Sequence, residues 1–292
     1  MLRSEPRYHP LNQSPFYALQ SRGKLAARFG LTRKTLADVL AMEKPYSCRS
    51  FGEERHGKIK TRIIQEPRGA LRSIHVVARK ALSRIQPPEF LFCPVKRRSY
   101  VSNAIQHVGA KELRMIDIKA YFPSTPRQRV KWFFHKVMRC SPDVAAILGQ
   151  LLTVDGHLAT GSTVSPIMSF FAFYDMWLAI ARIAKEARCV LTVYMDDITI
   201  SCDRVPGKVV WAIKQEIRRR GLIYHKERRY TGGIGEVTGG VVRDGKVVVP
   251  NRQRKKAYDI RTQLFATADP TEALRLASVL RGLDTQRRQI EG

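Results

Sequence analysis

Acidic side chains are scarce in this sequence. Its 292 residues hold 25 Asp and Glu against 52 Lys and Arg, a formal net charge of +27. An excess of that size attracts polyanions, with nucleic acid the first candidate and an anionic membrane surface the second. Cysteine is sparse as well. Cys48, Cys93, Cys140, Cys189 and Cys202 form no close pair and no metal-ligand spacing, which speaks against a disulfide framework and fits a reducing compartment. The first 30 residues lack the apolar core of a signal peptide. The most apolar stretch, 167–183, is interrupted by Asp175 and Arg182 and followed by Lys185, Glu186 and Arg188, so it fits a buried helix rather than a membrane span. Internal repeats and low-complexity linkers are missing too. These absences lead us to expect a cytoplasmic protein without a membrane partner. An apolar content of 44% allows a sizeable core, in one large domain or a few closely packed subdomains.

What charge there is lies unevenly. Residues 1–110 carry 21 basic and 7 acidic side chains, residues 111–202 carry 11 and 8, and residues 203–292 carry 20 and 10. A nearly neutral centre between two basic flanks suits an enzyme that grips a phosphate backbone from both sides. Residues 24–42 predict two short helices around Gly30, read either as a helix-turn-helix or as two packing helices. Residues 58–66 predict a basic strand and residues 70–86 an amphipathic helix. Residues 113–118 predict an apolar strand bearing one acid, and residues 167–187 one buried helix. Residues 189–201 predict a hairpin. Residues 208–220 predict a basic helix ended by Gly221, and the segments around Asp244-Gly245 a second hairpin. The C-terminus reads as helical, with Asp269 as cap and Pro270 at the first position.

The first of these hairpins carries the chemistry. Tyr194-Met195-Asp196-Asp197 sets two adjacent carboxylates between β-branched strands, where an Asn-Gly or Asp-Gly pair would turn without strain. Adjacent carboxylates repel and need a partner, and a hard divalent cation is the obvious one. Asp117 closes the other comparable strand and can supply a third carboxylate. Two Mg²⁺ ions shared by such a set activate an attacking hydroxyl and stabilise leaving pyrophosphate.

These residues also carry a resemblance. The run from Asp117 through Tyr121, Phe122 and Ser124 resembles the first catalytic motif of reverse transcriptases, Gly161 through Pro166 their nucleotide-positioning loop, and Tyr194 to Asp197 their catalytic hairpin. Asn103, Ala104 and His107 are similar to the NAxxH signature of the retron branch, and Val237-Thr238-Gly239 to its VTG signature. The resemblance implies an α+β, right-hand polymerase. Fingers with an N-terminal extension would occupy 1–110, an antiparallel-sheet palm 111–245, and a short helical thumb 246–292. It implies Asp117, Asp196 and Asp197 as catalytic metal ligands, with the Ile118 backbone beside them, and two Mg²⁺ with Mn²⁺ able to substitute. Arg62, Lys60, Ala120, Tyr121, Phe122, Gly161 and Ser162 would bind the nucleotide, Phe122 as a steric gate against a ribose 2′-OH. Gly161 and Ser162 would let the backbone approach the nucleotide closely. Lys226 is the candidate general acid.

The RNA contacts implied are Asn103, His107, Arg254, Lys255 and Lys256; the first two are read alternatively as buried hydrogen-bonding residues. Implied partners are a noncoding template-primer RNA, its DNA copy, dNTPs and a separately encoded effector in anti-phage defence. Two other readings stay open: a reverse transcriptase of the diversity-generating or abortive-infection kind, and an RNA-binding scaffold that restrains a toxin. This chain departs from the family pattern in three places, at Ala159-Thr160, at Ala120 and around His225 to Arg228.

Overall fold

The computed structural model describes residues 7–55 and 58–291, the side chains of 53–60 excepted. After a 3-10 turn at Leu11–Gln13 come helices α1 (Arg22–Arg28) and α2 (Arg33–Leu40), then strands β1 (Tyr46–Arg55) and β2 (Lys58–Pro67), then α3 (Gly69–Leu82). Strand β3 (Leu91–Cys93) and helix α4 (Tyr100–Ile105) lead into β4 (Glu112–Ile118). Helix α5 (Arg127–Trp132) runs on into a π-helical turn, Phe133–Val137, and is followed by α6 (Pro142–Leu151), α7 (Ser165–Ala172) and α8 (Tyr174–Glu186). The hairpin β5 (Val190–Tyr194) and β6 (Asp197–Cys202) precedes α9 (Gly207–Arg219) and β7 (Tyr224–Thr231). Three short strands, β8 (Gly235–Val237), β9 (Gly240–Arg243) and β10 (Lys246–Val248), are followed by α10 (Asn251–Ala266) and α11 (Pro270–Glu291). The fold is therefore mixed α+β.

The central sheet has the order β3-β5-β6-β4-β7. Its pairs are antiparallel except β3 with β5, which run parallel. The strands of residues 111–245 in this sheet are thus all antiparallel, and the one parallel strand, β3, precedes that range. Strands β4, β5 and β6 bury their apolar residues against the helices, with Ile116, Ile118, Val193, Ile198 and Ile200 among the enclosed side chains. A two-stranded ribbon, β1 with β2, and a three-stranded sheet, β8, β9 and β10, stand apart from it.

Several expected elements are present within a residue or two. Helices α1 and α2 are capped by Ser21 and Thr32 and bury Leu25, Ala26, Leu36 and Val39, which is the packing reading of that segment. Asp244 and Gly245 both take positive φ, 50° and 74°, as a tight two-residue hairpin turn requires. The expected single helix over 167–187 is instead two, bent by 68° where Phe173 leaves helical geometry. A straight rod apolar on every side would need burial all round. The bend lets α7 pack on α3 and α5 while α8 packs on β5 and α9. Among the described residues no single helix is long and apolar enough to cross a membrane.

Candidate active site

Strand register brings the three aspartates together. Tyr194 pairs with Asp197 across a turn of two residues, Met195 and Asp196, and Met195 takes a left-handed φ of 64° to close it. Asp117 lies directly opposite Asp197 on the neighbouring strand. Facing residues on adjacent strands point to the same side with their Cβ atoms about 5 Å apart. The turn is tied to β4, where the Ile118 N–H donates to the Asp196 carbonyl at 3.0 Å. On the other flank of β4, Lys226 is the direct partner of Asp117. Asp197, Asp117 and Lys226 therefore form a row across three strands, with the Lys226 ammonium 3.8 Å and His225 Nδ1 3.6 Å from the Asp117 carboxylate.

The electrostatics mark a site short of positive charge. Burial first, then Asp117, pushes Asp196 above the ordinary carboxylate range. Burial, then Asp196 and Asp117, pushes Asp197 up to about 6. Among the described residues no three Asp, Glu, His or Cys side chains converge tightly enough to enclose an ion as they stand. The donor set nevertheless fits one. Three hard oxygen ligands whose charges oppose one another are what a divalent cation relieves, and Asp117, Asp196 and Asp197 are the residues that would hold it.

Two cavities flank the aspartates. One of about 710 Å³ is lined by Arg62, Ile64, Ala120, Phe122, Thr160 and Asp196, among others, with Tyr121 at its wall. The other, of about 410 Å³, is lined by Asp117, Asp197, Lys226, Arg228, Thr238 and Arg252, with Glu236 holding Arg252 in a two-pronged ion pair. Phe122 is partly buried and stacked on Tyr121. Tyr121 itself is core: its hydroxyl donates to the Ser169 carbonyl at 2.9 Å and accepts from Trp177 at 3.1 Å. Only its backbone is placed to serve the cavity. Lys60 lies on β2, but its side chain falls outside the described residues.

The loop residues need a different account. A Cβ on Gly161 would come within 2.6 Å of Ile64 and 2.8 Å of the Gln65 carbonyl, and the Gly161 N–H donates to that carbonyl at 3.1 Å. The missing side chain leaves room for β2. Ser162 is buried and bonds His75 Nδ1 at 2.5 Å, while His75 Nε2 donates to the Leu151 carbonyl at 2.7 Å. In this structure the side-chain position of Gly161 and the Ser162 hydroxyl serve packing of the loop against β2 and His75.

Asn103 and His107 are also fully buried, so neither side chain is available to RNA. The alternative reading stands. His107 bridges β5 and β6 through Thr192 and Ser201, each at 2.7 Å. Asn103 donates to Thr238 Oγ1 at 3.1 Å, and Thr238 donates on to the Tyr100 carbonyl at 3.2 Å. The two signatures, far apart in sequence, are one hydrogen-bonded joint between α4 and the β8–β9 turn. Of the cationic trio on α10, Arg254 pairs with Glu291 at 3.1 Å, and Lys255 and Lys256 are exposed. Sequence reasoning missed Arg228 and Arg252 as lining residues of the smaller cavity. Arg228 sits on a strand without apolar alternation, and Arg252 reaches the cavity only through the fold.

Burial holds His107 and His75 neutral, both pushed down to about 4. The unfolded chain takes up these protons first, near pH 6.5, so stability is lost as pH falls from there towards 4. One such histidine accounts for about 2 kcal/mol of that loss at pH 5. Urea unfolding at pH 7 and pH 5 checks this. The drop between the two should be smaller by about that amount in His107→Gln than in the wild type, and an equal drop would remove His107 as its source.

Carboxylates at a hairpin tip, a third facing them across the sheet and a nucleotide-sized cavity alongside are compatible with the reverse transcriptase class. Among known proteins, the chain is similar to reverse transcriptases of the retron branch. The chain is similar to the Retron Se72 reverse transcriptase of Salmonella heidelberg, 29% identical over 202 residues, covering 69% of this chain and 52% of that protein. It is similar also to two Escherichia coli proteins, each at 25% identity. These are the Retron Ec86 reverse transcriptase, over 77% of this chain and 72% of its relative, and the Retron Ec48 reverse transcriptase, over 64% and 53%. The chain thus spans about half the length of two of these curated relatives and most of the third. No family model matches it.

Proposed function

We propose that this protein is an RNA-directed DNA polymerase of the retron kind, copying a structured noncoding RNA into a linked RNA–DNA product. The observation that carries the reading is the register that sets Asp117 opposite Asp197 with Asp196 at the turn, between the two cavities. In this reading 1–110 are fingers, 111–245 palm and 246–292 thumb. Arg62 meets the triphosphate in the larger cavity through a guanidinium suited to bidentate phosphate contact, and the backbone at Ala120 and Tyr121 lies under it. Phe122 stands where it would strike a 2′-OH. The smaller cavity takes the primer end, with Arg228 and Arg252 beside its phosphates. Lys226, next to Asp117 at 3.8 Å, is the candidate general acid for the leaving pyrophosphate. Bound at the aspartates, two divalent ions would lower the pKa of the attacking hydroxyl and steady charge on the leaving group. The retron names of its relatives support a cognate RNA as template and primer, and with it a place in anti-phage defence beside a separate effector.

Primer extension on an RNA template tests this directly. The wild type should incorporate dNTPs and refuse rNTPs, and Phe122→Ala should gain rNTP incorporation while keeping dNTP activity. No gain in an otherwise active variant removes Phe122 as the gate. Sequencing the nucleic acid that copurifies with the protein should return one RNA joined to DNA copied from it; RNA alone would favour the scaffold reading.

A further inference from the structure

Of the five cysteines scattered along the sequence, two meet in space. Cys189 and Cys202 directly flank the hairpin that carries Asp196 and Asp197. Val190 pairs with Ser201 at the open end of that hairpin, and the next positions outward on the two strands are Cys189 and Cys202. Their sulfur atoms lie 3.0 Å apart. A disulfide bond is about 2.05 Å long, so roughly 1 Å of sulfur movement separates contact from bond, with strand pairing already supplying the backbone geometry. Among the described residues this is the one cysteine pair in contact. Cys48 is exposed on β1, and Cys140 donates instead to the Phe16 carbonyl.

We infer that Cys189 and Cys202 are a thiol pair that a small-molecule disulfide, such as oxidised glutathione, converts into a covalent staple across the open end of the catalytic hairpin. The two sulfurs are unequal, and that sets the order of events. Cys202 is partly exposed and Cys189 is 8% exposed, so the incoming disulfide meets Cys202 first. The Cys202 sulfur, as thiolate, attacks one sulfur of the oxidant, forming a mixed disulfide and expelling one glutathione thiolate, which takes up a proton. The Cys189 sulfur then gives up its proton, attacks Cys202 and expels the second glutathione. Two protein thiols lose two hydrogens, and one small disulfide becomes two thiols.

Burial, the Cys202 thiol beside it and the Glu112 carboxylate together push the Cys189 thiol up to about 12. Capping Cys202 as a mixed disulfide removes the neighbouring thiol from that set, which eases the second step once the first has happened. A buried, reluctant thiol next to an accessible one is the division of labour between a resolving and an attacking cysteine. Reduction by excess glutathione runs the same steps backwards.

The staple would lock strands β5 and β6 in the register that puts Asp197 opposite Asp117.

Native protein equilibrated with oxidised glutathione, alkylated without reduction and digested with trypsin gives the test. Cleavage after Arg188 and Arg204 leaves both cysteines on one peptide, residues 189–204. That peptide should appear unalkylated and two hydrogens lighter, while Cys48 remains open to alkylation or glutathione. The oxidised wild type should also melt several degrees above the reduced form. In Cys189→Ser the glutathione adduct should accumulate on Cys202 and the rise in melting temperature should vanish. Alkylation of both cysteines in the oxidised native protein would overturn the inference. So would a light peptide formed only when the chain is unfolded before the oxidant is added.

Discussion

Asp117→Asn and Asp196→Asn should each abolish DNA synthesis, by a factor of the order of 10³ or more, while leaving the protein folded. Removing a single charge-stabilising group from a preorganised site already costs about 10²–10³ in rate, and in the proposed site these two carboxylates would share the same ions. The stability side follows from the electrostatics. Asp196 sits where burial and the charge of Asp117 both work against its ionised form, so an isosteric amide relieves repulsion rather than leaving a cation stranded. The expected pair of results is lost extension with Mg²⁺ or Mn²⁺ and an unchanged or raised melting temperature. Asp117→Asn differs in one respect, because Lys226 and His225 lie against that carboxylate and lose their partner. Extension at a near-wild-type rate by either variant sinks the assignment of the site. Unfolding of Asp196→Asn would show that the turn needs the charge for its own structure.

The affinity of the protein for RNA should fall steeply with salt. A net charge of +27 with the excess on both flanks predicts binding driven mainly by phosphate neutralisation, each phosphate engaged adding about −0.7 to −0.9 to the slope of log K against log salt. With about six to ten phosphates engaged, affinity drops by about 10³–10⁵ between 50 and 200 mM salt. Helix α10 buries none of its side chains, and its Lys255 and Lys256 are exposed, so they are ready contributors. Arg254 must first release Glu291. Replacing Arg254, Lys255 and Lys256 together with Ala should weaken every RNA and flatten the slope by somewhat under one unit for each phosphate left without its cation. Charge cannot choose one RNA among many, since specific recognition reads shape, unpaired bases and 2′-OH groups. A competition between cognate and scrambled RNA of equal length, run across a salt series, should therefore leave a preference that salt does not erase. Equal affinities at every salt concentration would leave a nonspecific binder and remove the retron-type reading of the protein.

The parts of the site that were legible in the sequence are those where chemistry and pattern coincide. Two adjacent acids between β-branched runs announce a hairpin, and the fold brings Asp117 opposite them. The bend at Phe173 was hidden because an apolar run carries no record of which side each half will bury. Strand β7 was hidden for the opposite reason. Of its eight residues, Tyr224 through Thr231, six are exposed and four are charged, so no alternation betrays it; its pairing comes from β4. At Gly161 the sequence pattern pointed to a ligand, and the close approach of β2 that also requires glycine there became visible only in the fold. Asn103 and Thr238, 135 positions apart, could be read singly as signatures, but only the fold shows that they hold each other.

Strand β7 has a consequence for how this protein keeps company with copies of itself. It lies at one margin of the central sheet, with β4 on its inner side and no strand on its outer side among the described residues. A free margin offers a row of backbone donors and acceptors to any extended chain, which is how sheets grow into aggregates. Here that row is guarded by His225, Lys226, Glu227, Arg228 and Arg229, whose hydration an incoming strand would have to strip. The opposite margin, β3, is only three residues long, too short to seed a lasting ladder. The charges beside the smaller cavity thus guard that edge against other copies of the chain, and trimming them to sharpen nucleic-acid selectivity would expose a sticky edge.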